Sequence, residues 1–82
     1  MPRYFFNFEH VGSSLADLIG RDLPGDYAAR KEAAKVAADL ATNDAVEGRP
    51  PSYQWIEAVD EFQRVVVRLP VADAIREPNR LR

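Results

Sequence analysis

The alternation of apolar and polar residues predicts one long helix packed on a set of strands. Between Leu23 and Gly48, apolar residues recur at the three- and four-residue spacing of a helix, and charged residues fill the other side. The apolar side is expected to carry Tyr27, Ala33, Ala34, Val36, Ala37, Leu40 and Ala41. Because most of these residues are alanines, the helix can lie close to a neighbouring surface but fills little volume. The bulk of the core must therefore come from the strands.

The two ends of this helix carry capping signals. Gly25 or Asp26 is expected to cap the first backbone N–H groups, and Asp26 also suits the positive end of the helix dipole. Gly48, followed by Pro50 and Pro51, predicts the end of the helix.

An aromatic-rich strand is predicted before the helix, over Arg3 to Glu9. Period-two alternation places Tyr4, Phe6 and Phe8 on the core side and Phe5, Asn7 and Glu9 on the other side. His10 to Ser14 has the composition of a turn, and Leu15 to Ile19 could return as a second strand, although its residues are poor strand formers.

Two further strands are predicted after the helix, at Ser52 to Asp60 and at Arg64 to Leu69, with a hairpin between them. Val71 to Glu77 could form a helical turn or two. Together these elements predict one α+β domain over residues 1–82, with the tail 75–82 frayed. We expect a ββαββ-like two-layer sandwich, in which a single long helix covers one face of an antiparallel sheet of three or four strands.

Composition and charge exclude several classes of function. The absence of cysteine excludes disulfides and thiolate metal sites, and a net charge of −2 with interspersed signs argues against general nucleic-acid binding. No signal peptide and no apolar run long enough to span a bilayer is evident, so we expect a cytoplasmic protein without membrane contact.

No catalytic, metal or cofactor constellation is evident, and we expect a protein that is not an enzyme. His10 has no assigned partner, and the adjacent carboxylates Asp60 and Glu61 would point to opposite faces of a strand. Ser13 and Ser14 lack the glycines of a nucleophile elbow. All of these residues are better explained as solvated turn residues.

Four sequence blocks with fixed spacing carry a family resemblance. They are MPRYFF, D-x-x-G-x-x-L-P at Asp17 to Pro24, AAR-x-EA at Ala28 to Ala33, and IEA-x-DE followed by RVVVRLP. Over residues 1–75 the chain resembles a family of short bacterial proteins that open with MPRYFF and are known only as a domain of unknown function. The resemblance implies a compact ββαββ-like domain, and it implies no activity, ligand or functional residue.

The chain departs from this family pattern at two points. Gly25 stands where the family usually has an acidic helix cap, which leaves Asp26 to cap the helix. Phe62 and Gln63 stand where many members have a glycine-containing turn, which argues against a tight turn between the last strands.

A regulatory function is the alternative. RVVVRLP resembles the strand that opens ribbon-helix-helix DNA-binding proteins, but only 12 residues follow Pro70, too few for two helices. A looser similarity to antitoxins that bind RNA-cleaving toxins leaves an antitoxin-like or nucleic-acid-associated regulator as the second hypothesis. A small enzyme is the third.

The leading hypothesis concerns the side of the sheet that faces away from the helix, here called the outer sheet face. We expect the helix to cover Tyr4, Phe6, Phe8, Ile56, Ala58, Val65, Val67 and Leu69. The outer sheet face would then present Phe5, Trp55 and Val66, surrounded by Asn7, Glu57 and Arg68. Such an apolar patch rimmed by charge is typical of a surface that binds a protein partner or a second copy of the chain. In the alternative interpretation, the segment Leu15 to Ile19 or the C-terminal segment shields Phe5 and Trp55.

Overall fold

The computed structural model describes residues 1–48, 50 and 52–74. Its elements are β1 (Arg3–His10), β2 (Ser13–Leu15), β3 (Arg21–Asp22), α1 (Asp26–Val46), β4 (Trp55–Asp60), β5 (Val65–Pro70) and α2 (Val71–Ala74). The predicted continuation of α2 to Glu77 and the predicted frayed tail lie outside the described residues.

All strands belong to one antiparallel sheet in the order β2-β1-β4-β5, and β3 pairs with β1 beside β2. The predicted α+β class is confirmed, but the described residues form a sheet of five strands rather than three or four. The difference arises in the Leu15 to Ile19 stretch, which does not form one strand. The chain leaves the sheet after Leu15, crosses residues 16–20, and pairs with β1 again at Arg21.

The core lies between α1 and the aromatic side of β1 and β4. Its buried members are Tyr4, Phe6, Ala29, Ala33, Ala37, Ile56 and Ala58. The alanines are fully buried, so the helix backbone lies close to the sheet, as the alanine-rich pattern predicts. The prediction is wrong for Tyr27 and Ala34, which are both exposed. The buried alanines of the helix follow Ala29 at steps of four positions. The buried face of α1 is therefore rotated to one side of the predicted apolar face.

A β-bulge breaks the alternation of β5. Ala58 pairs with Val67, whereas Val59 pairs with Val65, so Val66 is an extra residue in β5. Val66 packs against the core, and Val65 is 52% exposed. The sequence prediction of Val65 in the core and Val66 on the outer sheet face is therefore reversed, because strict period two does not hold across a bulge.

The N-terminus of α1 confirms one of the two predicted caps. Gly25 occupies the N-cap position in extended backbone, Asp26 lies in the first turn, and no side chain of the described residues caps the helix. The Asp26 carboxylate instead accepts hydrogen bonds from the Tyr4 hydroxyl (2.8 Å) and from Arg64 Nη2 (3.2 Å). Asp26 therefore ties the helix to β1 and to the β4–β5 hairpin.

Helix α1 ends at Val46, just before Gly48, as the predicted stop signal indicates. Gly48 has a φ of 74°, and its N–H donates to the Ala45 carbonyl. Asp44, in the last turn of the helix, is buried and accepts hydrogen bonds from the Ser52 N–H (2.7 Å) and from the Ser52 hydroxyl (2.9 Å). These bonds tie the chain before β4 to the last turn of the helix.

The β4–β5 connection is a tight turn despite the lack of glycine. The Gln63 N–H donates to the Asp60 carbonyl at 3.0 Å, and Gln63 adopts a φ of 69°. The Asp60 carboxylate accepts hydrogen bonds from the Phe62 N–H, the Arg64 N–H and the Arg64 side chain. These bonds stabilise a tight turn, although Phe62 and Gln63 replace the glycine-containing turn of the family pattern.

Candidate functional site

The sheet register aligns the polar residues predicted for the outer sheet face. Asn7 lies opposite Glu57 across β1 and β4, and Glu57 lies opposite Arg68 across β4 and β5. Helix α1 packs on the other side of the sheet, and α2 contacts α1. No helix within the described part of the chain covers this row.

Trp55 is half-buried beneath a cation. The Arg68 guanidinium carbon lies 4.3 Å from the centre of the indole ring, and Arg68 Nη2 donates to Glu9 Oε1 at 3.0 Å. Trp55 is thus less exposed than the sequence analysis expected. It forms a compact group with Arg68 and Glu9, two residues from the flanking strands.

Phe5 is also half-buried, because residues 16–20 fold onto it. Gly20 lies so close to the ring that a Cβ on this residue would stand 2.7 Å from Phe5 Cε2. Arg3 Nη1 donates to the Ile19 carbonyl at 2.7 Å and holds the same segment in place. The residue that contacts Phe5 is therefore Gly20, directly after the segment Leu15 to Ile19 that the alternative interpretation names.

Glu57 is a charged residue of the outer sheet face that has no partner among the described residues. It is half-buried and makes no hydrogen bond or ion pair within residues 1–48, 50 and 52–74. Arg68, which lies opposite, is engaged by Glu9 and Trp55. The neighbouring Asn7 Oδ1 accepts a hydrogen bond from the Asp17 N–H at 2.9 Å.

Residues 16–20 form an anchored loop, which we call the edge loop, where the sequence analysis allowed a strand. The Asp17 carboxylate accepts hydrogen bonds from the backbone N–H groups of Phe6 (3.1 Å), Ile19 (3.0 Å) and Gly20 (3.0 Å). Burial raises the pKa of Asp17, but these hydrogen bonds outweigh burial and leave the pKa below its ordinary value. The D-x-x-G spacing of Asp17 and Gly20 is the sequence signal that could have revealed this turn.

An apolar groove lies beside the edge loop on the helix side of the sheet, with a volume of about 420 Å³. This edge groove is lined by Phe6, Phe8, Leu15, Ala16, Asp17, Leu18, Ile19, Arg21 and Val36. Arg21 lies 5.7 Å from the centre of the Phe6 ring and forms an ion pair with Glu32 of α1. The groove is therefore bounded by the helix on one side and by the edge loop on the other.

The residues considered for catalysis are not brought together. His10 is exposed and borders a separate cavity of about 430 Å³ with Trp55 and Gln54. The hydrogen bonds from Arg64 hold the pKa of Asp60 below its ordinary value, and Glu61 accepts a bond from the Arg3 N–H. Ser13 and Ser14 lie in β2.

The described residues contain neither a metal-binding cluster nor a membrane-spanning helix. No group of three or more His, Cys, Asp or Glu side chains within them could hold a metal ion. Among the same residues, no helix is both long and apolar enough to cross a membrane.

Comparison with known proteins assigns the family. Residues 3–72 match the family described as "Domain of unknown function (DUF6894)". Neither the curated proteins nor the solved structures give a significant match. The matched range runs from the start of β1 into α2 and so includes the outer sheet face and the edge groove. The chain belongs to the DUF6894 family of domains of unknown function.

Proposed function

We propose that this protein is a non-enzymatic interaction module that binds a protein partner through its outer sheet face. The observation that supports this proposal is the position of Glu57, a half-buried acidic residue in the middle of the sheet with no hydrogen bond or ion pair among the described residues. A carboxylate without a partner forms a charge-assisted hydrogen bond when a lysine or arginine side chain approaches it. The partner is therefore a protein surface that supplies a lysine or arginine to Glu57.

The surroundings of Glu57 favour such a contact. Trp55 and Arg68 belong to the residue types that contribute most to binding energy at protein interfaces. Glu9 and the indole ring hold Arg68 in one position, and the Arg68 guanidinium donates to Glu9. Because these side chains are already ordered, little conformational entropy is lost when a partner binds.

A pull-down with charge-reversal variants tests the proposal. Wild type, Glu57→Lys and Asp39→Lys would each serve as bait in a lysate of the source organism, and captured proteins would be identified by mass spectrometry. Asp39 is a matched control, because it is an exposed acid on α1, on the other side of the sheet. We expect wild type and Asp39→Lys to retain one protein that Glu57→Lys loses.

Titration calorimetry with the purified partner then measures the contact. We expect Glu57→Lys to weaken binding by at least about tenfold and Asp39→Lys to leave it unchanged. Equal binding to both variants, or capture of nucleic acid without a protein, would contradict the proposal. Capture of an RNA-cleaving toxin whose binding depends on Glu57 would specify the module as antitoxin-like.

A further inference from the structure

We propose that the edge loop and the edge groove form a homodimer interface, in which Leu18 and Ile19 of one copy pack into the groove of a second copy. The edge groove lies on the helix side of the sheet, whereas Glu57 lies on the outer sheet face, which the edge loop touches only through Gly20 at the Phe5 ring. A dimer formed in this way leaves Glu57 of each copy free to bind the partner proposed above.

The first argument is the exposure of apolar side chains at this site. Leu18 is 89% exposed, Ile19 is 79% exposed, and Leu15 at the end of β2 is 53% exposed. These three aliphatic residues lie within five consecutive positions on one edge of the sheet. Contiguous exposed apolar groups of this kind mark interaction sites, because their contact with water is unfavourable.

The second argument is that the edge loop is held in place rather than loosely attached. The Asp17 carboxylate accepts hydrogen bonds from the N–H groups of Phe6 in β1 and Gly20 at the end of the loop, and the Asn7 side chain accepts one from the Asp17 N–H. Arg3 binds the Ile19 carbonyl, and Gly20 rests on the Phe5 ring. A loop fixed in this way presents Leu18 and Ile19 without further ordering, which lowers the entropic cost of association.

The third argument concerns the chemistry of the groove. Phe6, Phe8 and Val36 supply aromatic and aliphatic surface at the base of a groove of about 420 Å³. Its two charged residues already have partners, since backbone N–H groups donate to the Asp17 carboxylate and Arg21 forms an ion pair with Glu32. The group that enters the groove should therefore be uncharged and apolar, as Leu18 and Ile19 are.

The fourth argument identifies the occupant as a second copy. A twofold interface requires one surface patch that is complementary to itself. Here a protruding apolar pair and an apolar groove adjoin each other, since Leu18 and Ile19 themselves form the rim of the groove. The charged groups of this patch are engaged within their own chain, Arg21 by Glu32 and the Asp17 carboxylate by backbone N–H groups. An anionic membrane would instead favour free cations, whereas Arg3 is paired with Asp22 and Arg21 with Glu32.

The oligomeric state of matched variants tests this inference. Light scattering on gel-filtered samples and sedimentation equilibrium would compare wild type with Ile19→Lys and Val46→Lys. Val46 is also 79% exposed but lies in the last turn of α1, so the same substitution there controls for general surface effects. Circular dichroism would check that each variant is folded.

We expect wild type and Val46→Lys to reach twice the 9.2 kDa mass of one chain with increasing concentration. Ile19→Lys should weaken this dimer by at least about tenfold. In a mixed, differentially labelled wild-type sample, intermolecular NOEs should join Leu18 and Ile19 methyl groups to the Phe6 and Phe8 rings. A wild-type monomer at every concentration would overturn the inference, as would a dimer that Ile19→Lys leaves intact.

The outcome is distinguishable from failure of the proposed function. Glu57→Lys should abolish partner binding and leave the dimer intact, whereas Ile19→Lys should have the reverse effect. A dimer that is lost in Trp55→Ala and retained in Ile19→Lys would assign self-association to the outer sheet face and refute the edge-groove interface.

Discussion

The backbone of Gly20 lies against the ring of Phe5, and this contact closes the edge loop onto the outer sheet face. Gly20 has a φ of 77°, and a Cβ at this position would stand 2.7 Å from Phe5 Cε2 and 2.9 Å from Arg3 Cγ. The position therefore needs glycine both for its backbone conformation and for the space it leaves to the ring.

Replacement of Gly20 by alanine should lower the free energy of unfolding by about 2–4 kcal/mol. About 1–2 kcal/mol of this loss is the cost of the left-handed conformation, and the remainder is the clash with Phe5. Gly12→Ala is a matched control, because Gly12 has a φ of 78° but no atom within 4 Å of the added Cβ. Urea denaturation should show the smaller loss for Gly12→Ala, and equal losses would mean that the contact with Phe5 contributes nothing.

The close approach of α1 to the sheet makes a second prediction. Ala37 is fully buried between the helix and the sheet, whereas Ala34 is exposed on the same helix. Ala37→Leu should lower the free energy of unfolding by about 1–3 kcal/mol through overpacking, and Ala34→Leu should change it by less than about 0.5 kcal/mol. Thermal and urea unfolding would measure both variants. Tolerance of leucine at position 37 would show that the core has room that the packing does not indicate.

Glycine in the turn between β4 and β5 should stabilise the protein at position 63 and destabilise it at position 62. Gln63 holds a φ of 69°, which costs a residue with a side chain about 1–2 kcal/mol. After the entropic cost of glycine is subtracted, Gln63→Gly should stabilise the protein by about 0.5–1 kcal/mol. Phe62→Gly, which relieves no left-handed strain, should destabilise it. The prediction fails if chemical denaturation ranks the two variants in the opposite order.

The stability of the protein should fall in acid. Hydrogen bonds from the Arg64 side chain and backbone lower the pKa of Asp60. Burial raises the pKa of Asp17, but the backbone hydrogen bonds described above outweigh burial and leave this pKa below its ordinary value. When the folded-state pKa of a carboxyl group lies below the unfolded value, the unfolded state binds more protons as the pH drops. This contribution is therefore complete above about pH 4 and is lost as the pH falls below that value.

Melting temperatures between neutral pH and the acid range would measure this effect. Asp60→Asn should lower the melting temperature at neutral pH and should lose less stability than wild type on acidification. Asp39→Asn removes an exposed carboxylate that makes no hydrogen bond or ion pair within the described residues, and it should follow wild type. An Asp60→Asn protein with the full acid dependence of wild type would contradict the assignment to Asp60.

The candidate site was predictable only in part. The alternation of β1 and β4 placed Phe5, Asn7, Trp55 and Glu57 on one face, and the observed register agrees. Val66 was assigned to the wrong face, because the bulge depends on how β5 pairs with β4. The sequence allows a strand at Leu15 to Ile19, whereas the structure has an anchored loop, because the Phe6 N–H that binds Asp17 comes from β1 and is not visible to a local pattern.

The sequence by itself determined the order and type of the main elements. Aromatic alternation specifies β1, the alanine-rich period specifies α1, and Gly48 specifies its end, because each of these signals acts between residues close in the chain. The tertiary structure decided which side chains meet: Arg68 pairs with Glu9 across 59 positions, and Arg64 reaches Asp26 across 38. Such partners depend on strand order and register, which local patterns do not encode. For this reason the place of Glu57 in the middle of the sheet and the exposed pair Leu18 and Ile19 emerge only in the folded chain.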